Sequence, residues 1–226
     1  MTADQKQDAL KVGQLAYDMA RGFAAHDAAI NVVPQLLRDG NTFVRLIRMY
    51  PTSSVERKDG SKWSYDIQDA VGSAVWDQAI IKELPLVWLT GALLAVGDAL
   101  ERNGYFDRAP ELELIRHLRN GIAHGNRFHI RDPEKLKKYP AHNRDGYHNG
   151  TIFKITPELD GQPVLFDFIG AGDVLDLLHS VGHHLKQMGA GKAPPPIITE
   201  AERQELIKRR DAALGGQRNC DDQSQP

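Results

Sequence analysis

The chain has 226 residues, of which 41% are hydrophobic, and a formal net charge of −2. It is long enough to bury one sizeable core, and its single cysteine, Cys220, excludes an internal disulfide framework and a cysteine-based zinc site. The N-terminus lacks the basic start and apolar run of a signal peptide, and polar residues interrupt the apolar stretch from 84 to 100, so we expect a cytoplasmic protein without membrane contact.

Helical periodicity dominates the first third of the chain. Apolar residues from 12 to 23 follow the i, i+3, i+4, i+7 spacing of an amphipathic helix, which predicts the first helix. A second helix is predicted over 28–49, with a break near Gly40, and a polar loop is predicted around 51–60. The apolar spacing then predicts a third helix over 67–81.

Two further helices are predicted in the middle of the chain. Pro85 suits the first turn of a fourth helix, where its missing N–H is not needed, and Asn103-Gly104 supplies a stop. The fifth helix covers the stretch from Glu113, and Gly125 can take the left-handed conformation that closes many helices.

The helical period is lost after Phe128. The segments 147–156 and 163–169 are rich in β-branched and aromatic residues, and turn-forming residues at 157–161 separate them. This pattern predicts a β-hairpin inserted between helices. The helical spacing returns from 174 to 188, which predicts a further helix.

These elements predict a mainly α fold in one domain with appendages. The helical bundle covers 1–192 and includes the basic loop and hairpin insertion at about 126–170. A Pro-rich spacer and a charged C-terminal helix are predicted over 193–214, followed by a disordered tail over 215–226.

Positive charge is concentrated in one part of the chain. From Arg116 to Lys154 there are nine basic side chains against three acidic ones, a net charge of +6. In many proteins such a run is a solvated loop. In others it is a positively charged surface that binds an anionic partner.

The segment Arg119-Asn120-Gly121-Ile122-Ala123-His124 heads this basic region and places a histidine five positions after an arginine. It resembles the signature of the HEPN superfamily, whose helical bundles include many metal-independent endoribonucleases, toxins and anti-phage effectors. Arg21 and His26 have the same spacing, but glycine follows Arg21 where the family has a polar residue. The resemblance rests on the motif and on its place late in a helical bundle.

The resemblance implies an endoribonuclease that acts on RNA as a homodimer without a metal or another cofactor. It implies His124 as general base or acid, Arg119 as the group that stabilises phosphate charge, and Asn120 as the residue that orients one of them. These residue types suit cleavage through a 2′,3′-cyclic phosphate, because RNA brings its own nucleophile and needs a titratable group and a cation. Six basic residues are predicted auxiliary contacts to RNA: Arg116, His117, Arg127, Lys135, Lys137 and Lys138.

Helix geometry explains why a dimer is implied. On an ideal helix Arg119 and His124 point about 140° apart, so one helix alone makes a poor pocket. In HEPN families two protomers bring both motifs to a common cleft. The family also implies a toxin or phage-defence role, with an antitoxin or regulatory protein as a possible further partner.

Several alternatives stay open. The chain is alternatively a HEPN-like module that binds a nucleotide, RNA or a protein without cleaving it, and Gly121 inside the helix, which costs stability, favours this reading. It is alternatively a helical scaffold in which His124 caps helix carbonyls and Arg119 pairs with a nearby acid. His179 and His183 are spaced like two metal ligands, although a solvated or cleft-lining role is also typical of that spacing.

Overall fold

A computed structural model describes residues 1–38, 44–45, 48–70, 78–144 and 151–192. Within 29–38 and 78–82 it describes only the backbone. The predicted Pro-rich spacer, charged C-terminal helix and tail all lie outside the described residues.

The fold is mainly α, as predicted, and four long helices form its core. The helices are α1 (Ala3–Arg38), α2 (Gln78–Arg102), α3 (Pro110–Ala123), the short α4 (Pro133–Lys138) and α5 (Ala171–Gly189). The predicted first helix and the beginning of the predicted second helix are one continuous helix, α1, in which no break separates the two predicted segments. Helix α2 packs on α1 and α3, and α5 packs mainly on α1.

Helices α1 and α5 run antiparallel and approach closely at glycines. A methyl group added at Gly13 would lie 3.0 Å from the carbonyl oxygen of Gly182, and one added at Gly189 would lie 2.5 Å from Cγ of Leu10. Larger side chains at these positions would push the helices apart. The sequence therefore places small residues where the two helices touch.

Helix α2 begins earlier than predicted. The prediction that Pro85 lies in the first turn is wrong, because α2 already includes Gln78 and Pro85 lies inside the helix, where it removes one backbone hydrogen bond. By length and apolar composition, Glu83–Arg102 is the one stretch among the described residues that could cross a bilayer. Leu89, Leu93 and other apolar side chains of this stretch are fully buried in the protein, whereas Val87 is 67% exposed.

The turn between α2 and α3 contains left-handed backbone at residues other than glycine. Gly104 has φ +59°, and Tyr105, Phe106 and Arg108 have φ values of 60°, 49° and 57°. Each such residue is costly on its own and needs surrounding contacts to hold it. Tyr105 is buried, and burial together with the charge of Glu101 raises its pKa to about 12.

A two-stranded antiparallel hairpin lies where a polar loop was predicted. Strands β1 (Thr52–Glu56) and β2 (Lys62–Asp66) pair with Val55 opposite Trp63, and Gly60 in the turn has φ +81°. The polar loop prediction is wrong over the strands, because Asp59-Gly60 is a strong hairpin-turn signal between two short segments with alternating side chains.

The predicted hairpin between α3 and α5 is not found over 151–169, the part of its segment that the structure describes. These residues make only single bridges, which join Arg127 with Pro163, His142 with Lys154 and Leu165 with Ile169. The turn chemistry at 157–161 forms a 3₁₀ turn whose Asp160 side chain accepts a hydrogen bond from the backbone of Ile130. The β-branched and aromatic side chains thus enter the bundle core as irregular chain.

Candidate functional site at the end of helix α3

Helix α3 ends one residue before His124. The backbone N–H of His124 caps the helix by donating to the carbonyls of Asn120 (3.1 Å) and Gly121 (3.2 Å), while its side chain is exposed. Gly125 and Asn126 have φ values of 79° and 61°, so the chain turns back immediately. The predicted helix end is confirmed, and it leaves the imidazole of His124 accessible to solvent.

Arg119 is held by carboxylates of helix α2. Its Nε and Nη2 donate to Oδ1 of Asp98 at 2.8 and 2.6 Å, and Nη2 lies 3.3 Å from Oε2 of Glu101. The hydrogen bond with Asp98 raises the pKa of Arg119 above its ordinary value. The guanidinium is therefore fixed in place and partly neutralised, with 24% of the side chain exposed.

Asn120 lies beside the guanidinium. Its Oδ1 accepts a hydrogen bond of 3.2 Å from Nη1 of Arg119, the nitrogen for which no carboxylate contact is recorded among the described residues. On the other side, the stem of Arg119 packs on Gly97, where an added methyl group would lie 2.6 Å from Cγ. The scaffold alternative predicted that Arg119 pairs with a nearby acid, and this pairing is confirmed, with Asp98 and Glu101 as the acids. Which acids pair with it was not predicted, because they lie on another helix.

Gly121 fills a tight position rather than loosening the helix. A methyl group there would lie 2.5 Å from Cγ2 of Val164 and 3.1 Å from the carbonyl oxygen of Arg127. The backbone N–H of Arg127 also donates to the carbonyl of Gly121 at 3.0 Å. The glycine lets the returning chain pack directly against the last turn of α3.

The returning chain brings a second histidine to His124. The rings of His124 and His129 are 4.8 Å apart between centroids and tilted by 42°, and both side chains are exposed. Nε of Arg131 contacts Nε2 of His129. His129 was not predicted from the sequence, because its contact with His124 depends on the left-handed turn at Gly125 and Asn126.

Two of the predicted RNA contacts face inward. Arg116 is 13% exposed, and its Nε donates to Oε2 of the fully buried Glu113 at 2.5 Å. His117 is buried, and Nη2 of Arg116 lies 3.1 Å from its Nε2. Burial and the charges of Arg116 and Lys135 lower the pKa of His117 to about 4, so this ring is neutral at neutral pH.

The other four predicted RNA contacts are on the surface. Arg127 is exposed, with Nη1 donating to the carbonyl of Gly161 at 2.8 Å. The lysines of helix α4, Lys135, Lys137 and Lys138, are also exposed, although Lys137 is paired with Glu134 at 2.7 Å. Arg127 and α4 therefore add exposed positive charge to the chain that follows the candidate site.

A polar cluster lies elsewhere, between α3, α5 and the turn that precedes α3. Nε2 of His184 lies 2.9 Å from Oδ2 of Asp107, and its Nδ1 lies 3.4 Å from Oε1 of Glu111, which also accepts a hydrogen bond from Ser180. Burial alone would lower the pKa of His184, but the hydrogen bond with Asp107 and the charge of Glu111 outweigh it, and the pKa is raised. Among the described residues no group of three histidine, cysteine or carboxylate side chains is arranged to hold a metal ion.

Comparison of the chain with protein-family models, with curated proteins and with solved structures found no match. An exposed imidazole beside a second imidazole can transfer protons, and the exposed Arg127 and Arg131 on the returning chain can bind an anion.

Proposed function

We propose that the chain is a HEPN-type endoribonuclease that cleaves RNA through a 2′,3′-cyclic phosphate without a metal ion. The observation that carries the proposal is the exposed His124 at the end of α3, on the same last turns as the joined side chains of Arg119 and Asn120. His124 transfers a proton, Arg119 stabilises phosphate charge, and Asn120 orients the guanidinium.

The charge around His124 suits an anionic polymer. Arg127 and Arg131 are exposed on the chain that returns from the helix end, and the lysines of α4 follow them. Because RNA affinity comes largely from phosphate contacts, such a run gives binding that is strong at low salt and weak at high salt.

The side chain of Arg119 is already fixed in position, but neighbouring carboxylates partly neutralise its positive charge. Asp98 and Glu101 bind Nε and Nη2 of the guanidinium, and Nη1 on the other side donates to the neutral Asn120. A phosphate oxygen approaching Nη1 would meet a donor whose direction is already fixed, which reduces the reorganisation needed in the transition state.

The proposal extends to partners. A symmetric homodimer would bring two such helix ends to one cleft, and RNA would be the shared substrate. A toxin or phage-defence role in the cytoplasm, restrained by an antitoxin or regulatory protein, belongs to the same proposal.

One observation favours a second function. The two carboxylates beside Arg119 lower the positive charge available to a phosphate, as expected of a HEPN-like module that binds a nucleotide, RNA or a protein without cleaving it. Cleavage experiments separate the two functions.

The test is incubation of total RNA and tRNA with the protein in excess EDTA. We expect wild type to produce fragments with 2′,3′-cyclic ends, and His124→Ala and Arg119→Ala to reduce the rate by roughly 10²-fold or more while keeping the helical circular dichroism signal. If wild type binds RNA without cutting it, the binding module is the correct function. If both variants cut as fast as wild type, the motif is not the active site.

A further inference from the structure

We propose that a cavity on the β1–β2 hairpin binds an arginine side chain of a partner peptide. The inference concerns a different part of the chain from the end of α3 and does not depend on the proposed nuclease function. Five described residues line this hairpin cavity, which has a volume of about 460 Å³: Trp63, Tyr65, Asp66, Asp69 and Ala70. The volume lies within the range of pockets that hold ligands.

Strand alternation places two aromatic rings on one face of the hairpin. Trp63 and Tyr65 are two residues apart in β2, and Val55 of β1 lies opposite Trp63, so the three side chains share a face. Glu56 and Lys62 are paired on the other face. The rings of Trp63 and Tyr65 lie 5.5 Å apart between centroids, with planes tilted by 34°. Together they form an aromatic wall of the hairpin cavity.

The aromatic face remains open to solvent. Trp63 is 53% exposed and Val55 is 57% exposed. A two-stranded hairpin is only marginally stable in water by itself, and exposed apolar patches mark binding surfaces. Among the described residues β1 and β2 pair only with each other, so their outer edges offer backbone hydrogen bonds to an extended peptide. Such a peptide can pair with the hairpin and place a side chain over the rings.

The charge of the hairpin cavity favours a cation. Its charged lining residues are both acidic: Asp66 at the end of β2 and Asp69 in the helical segment 67–70. Oδ1 of Asp66 accepts a hydrogen bond of 3.0 Å from the backbone N–H of Asp69, which holds the first of these carboxylates in place. Carboxylates beside the rings would repel the phosphates of RNA, whereas aromatic faces and carboxylates both attract cations.

Arginine suits this combination of groups better than lysine does. Its planar guanidinium stacks on aromatic faces, and its N–H donors pair with carboxylates in a fixed fork. A guanidinium is also more weakly hydrated than an ammonium group, so it loses less when it leaves water for the rings. The aromatic wall and the carboxylates line one cavity, so one guanidinium can contact a ring with its face and a carboxylate with its edge.

The test is binding of a short fluorescein-labelled peptide of alternating arginine and serine to the full chain, followed by fluorescence anisotropy. Replacing arginine with citrulline, its neutral isostere, should weaken binding roughly tenfold or more. Trp63→Leu keeps an apolar side chain opposite Val55 but removes the ring, and should weaken binding of the arginine peptide roughly 5–30-fold. Asp69→Asn should weaken it roughly 2–5-fold.

Controls and contrary outcomes come from the same assay. Glu56→Gln removes an equal charge from the opposite face of the hairpin and should leave the affinity at the wild-type value, and Trp63→Phe should retain most of it. Equal affinity for the arginine and citrulline peptides would overturn the inference, as would wild-type affinity in Trp63→Leu or no binding by wild type. Binding of single-stranded RNA that is lost in Trp63→Leu would also overturn it, because the rings would then stack on bases.

Discussion

The segments Arg21–His26 and Arg119–His124 share one spacing but lie in different surroundings. Helix α1 continues through both ends of the first segment, and the ring of His26 stacks on Trp88 with centroids 5.7 Å apart and planes 15° apart. Helix α3 ends inside the second segment, which leaves His124 exposed beside His129. The difference teaches that the end of the helix, rather than the arginine-to-histidine spacing, makes a group available for chemistry.

The largest expected effect comes from replacing the arginine and the histidine of each segment with alanine. The double variant Arg119→Ala/His124→Ala should lose roughly 10²–10⁴-fold of the RNA cleavage rate, because it removes both the cation and the proton-transfer group. The double variant Arg21→Ala/His26→Ala should keep the wild-type rate. Initial rates on a fluorescent RNA measure both, and equal losses in the two doubles would contradict the comparison.

The next effect in size is a pH dependence specific to α3. His117 is buried with a pKa of about 4, against about 6.5 for histidine in an unfolded chain. Below about pH 6.5 the unfolded chain binds a proton that the folded chain does not, so stability should fall by about 3 kcal/mol as the pH drops from 6.5 to 4.

Urea unfolding of wild type and His117→Gln across this pH range measures the effect. The variant should be less stable at neutral pH, because Arg116 loses its ring acceptor, and its stability should fall less on acidification. Parallel pH curves for the two proteins would show that His117 is not the group responsible.

A smaller effect distinguishes the two glycines that the segments contain. Gly121→Ala should destabilise the fold by about 1–3 kcal/mol, since its methyl group meets Val164 and the rigid backbone of Arg127. Gly22→Ala should cost less, because its methyl group meets only side-chain atoms of Trp88, the nearest at 2.7 Å, and no backbone atom. Thermal unfolding compares the two, and a greater loss at Gly22 would reverse the expectation.

The smallest effect concerns the ion pair of Arg119. Asp98→Asn should cost at most about 1 kcal/mol of stability, because the Asp98 side chain is 45% exposed and solvent screens the pair. The freed guanidinium should tighten RNA binding and make the salt dependence steeper by about one counterion. Asp8→Asn on α1 is the control, because it removes the same charge far from Arg119 in the sequence. It should change the salt dependence of RNA affinity and the stability less than Asp98→Asn does.

The helices were predictable because their signals are local. The apolar spacing between residues 12 and 23 and between 174 and 188 gave α1 and α5, and Gly104 and Gly125 gave two helix ends. The hairpin at β1 and β2 was missed although Asp59-Gly60 signalled it, because its short strands carry few apolar residues. The hairpin predicted after α3 is not found among the described residues. Its β-branched and aromatic residues also suit irregular chain that packs into a core.

The candidate site was only partly predictable. Arg119, Asn120 and His124 follow a spacing that can be read along the chain, whereas Asp98 lies on another helix and His129 lies across a left-handed turn. His117 was predicted to contact RNA, but its side chain is buried in the core, and this burial, with smaller contributions from the charges of Arg116 and Lys135, lowers its pKa to about 4. Contacts between elements depend on tertiary packing, which no single segment encodes.

The glycine contact between α1 and α5 has a consequence for the order of folding. Gly13 and Gly182 touch although they lie near opposite ends of the described chain, whereas α2 and α3 are joined by a short turn. Closing a long loop costs more entropy than closing a short one, so the α2–α3 pair can form early and the α1–α5 contact must wait for the chain between them to become compact. Alanine at Gly13 or Gly182 should therefore speed unfolding and leave the folding rate nearly unchanged.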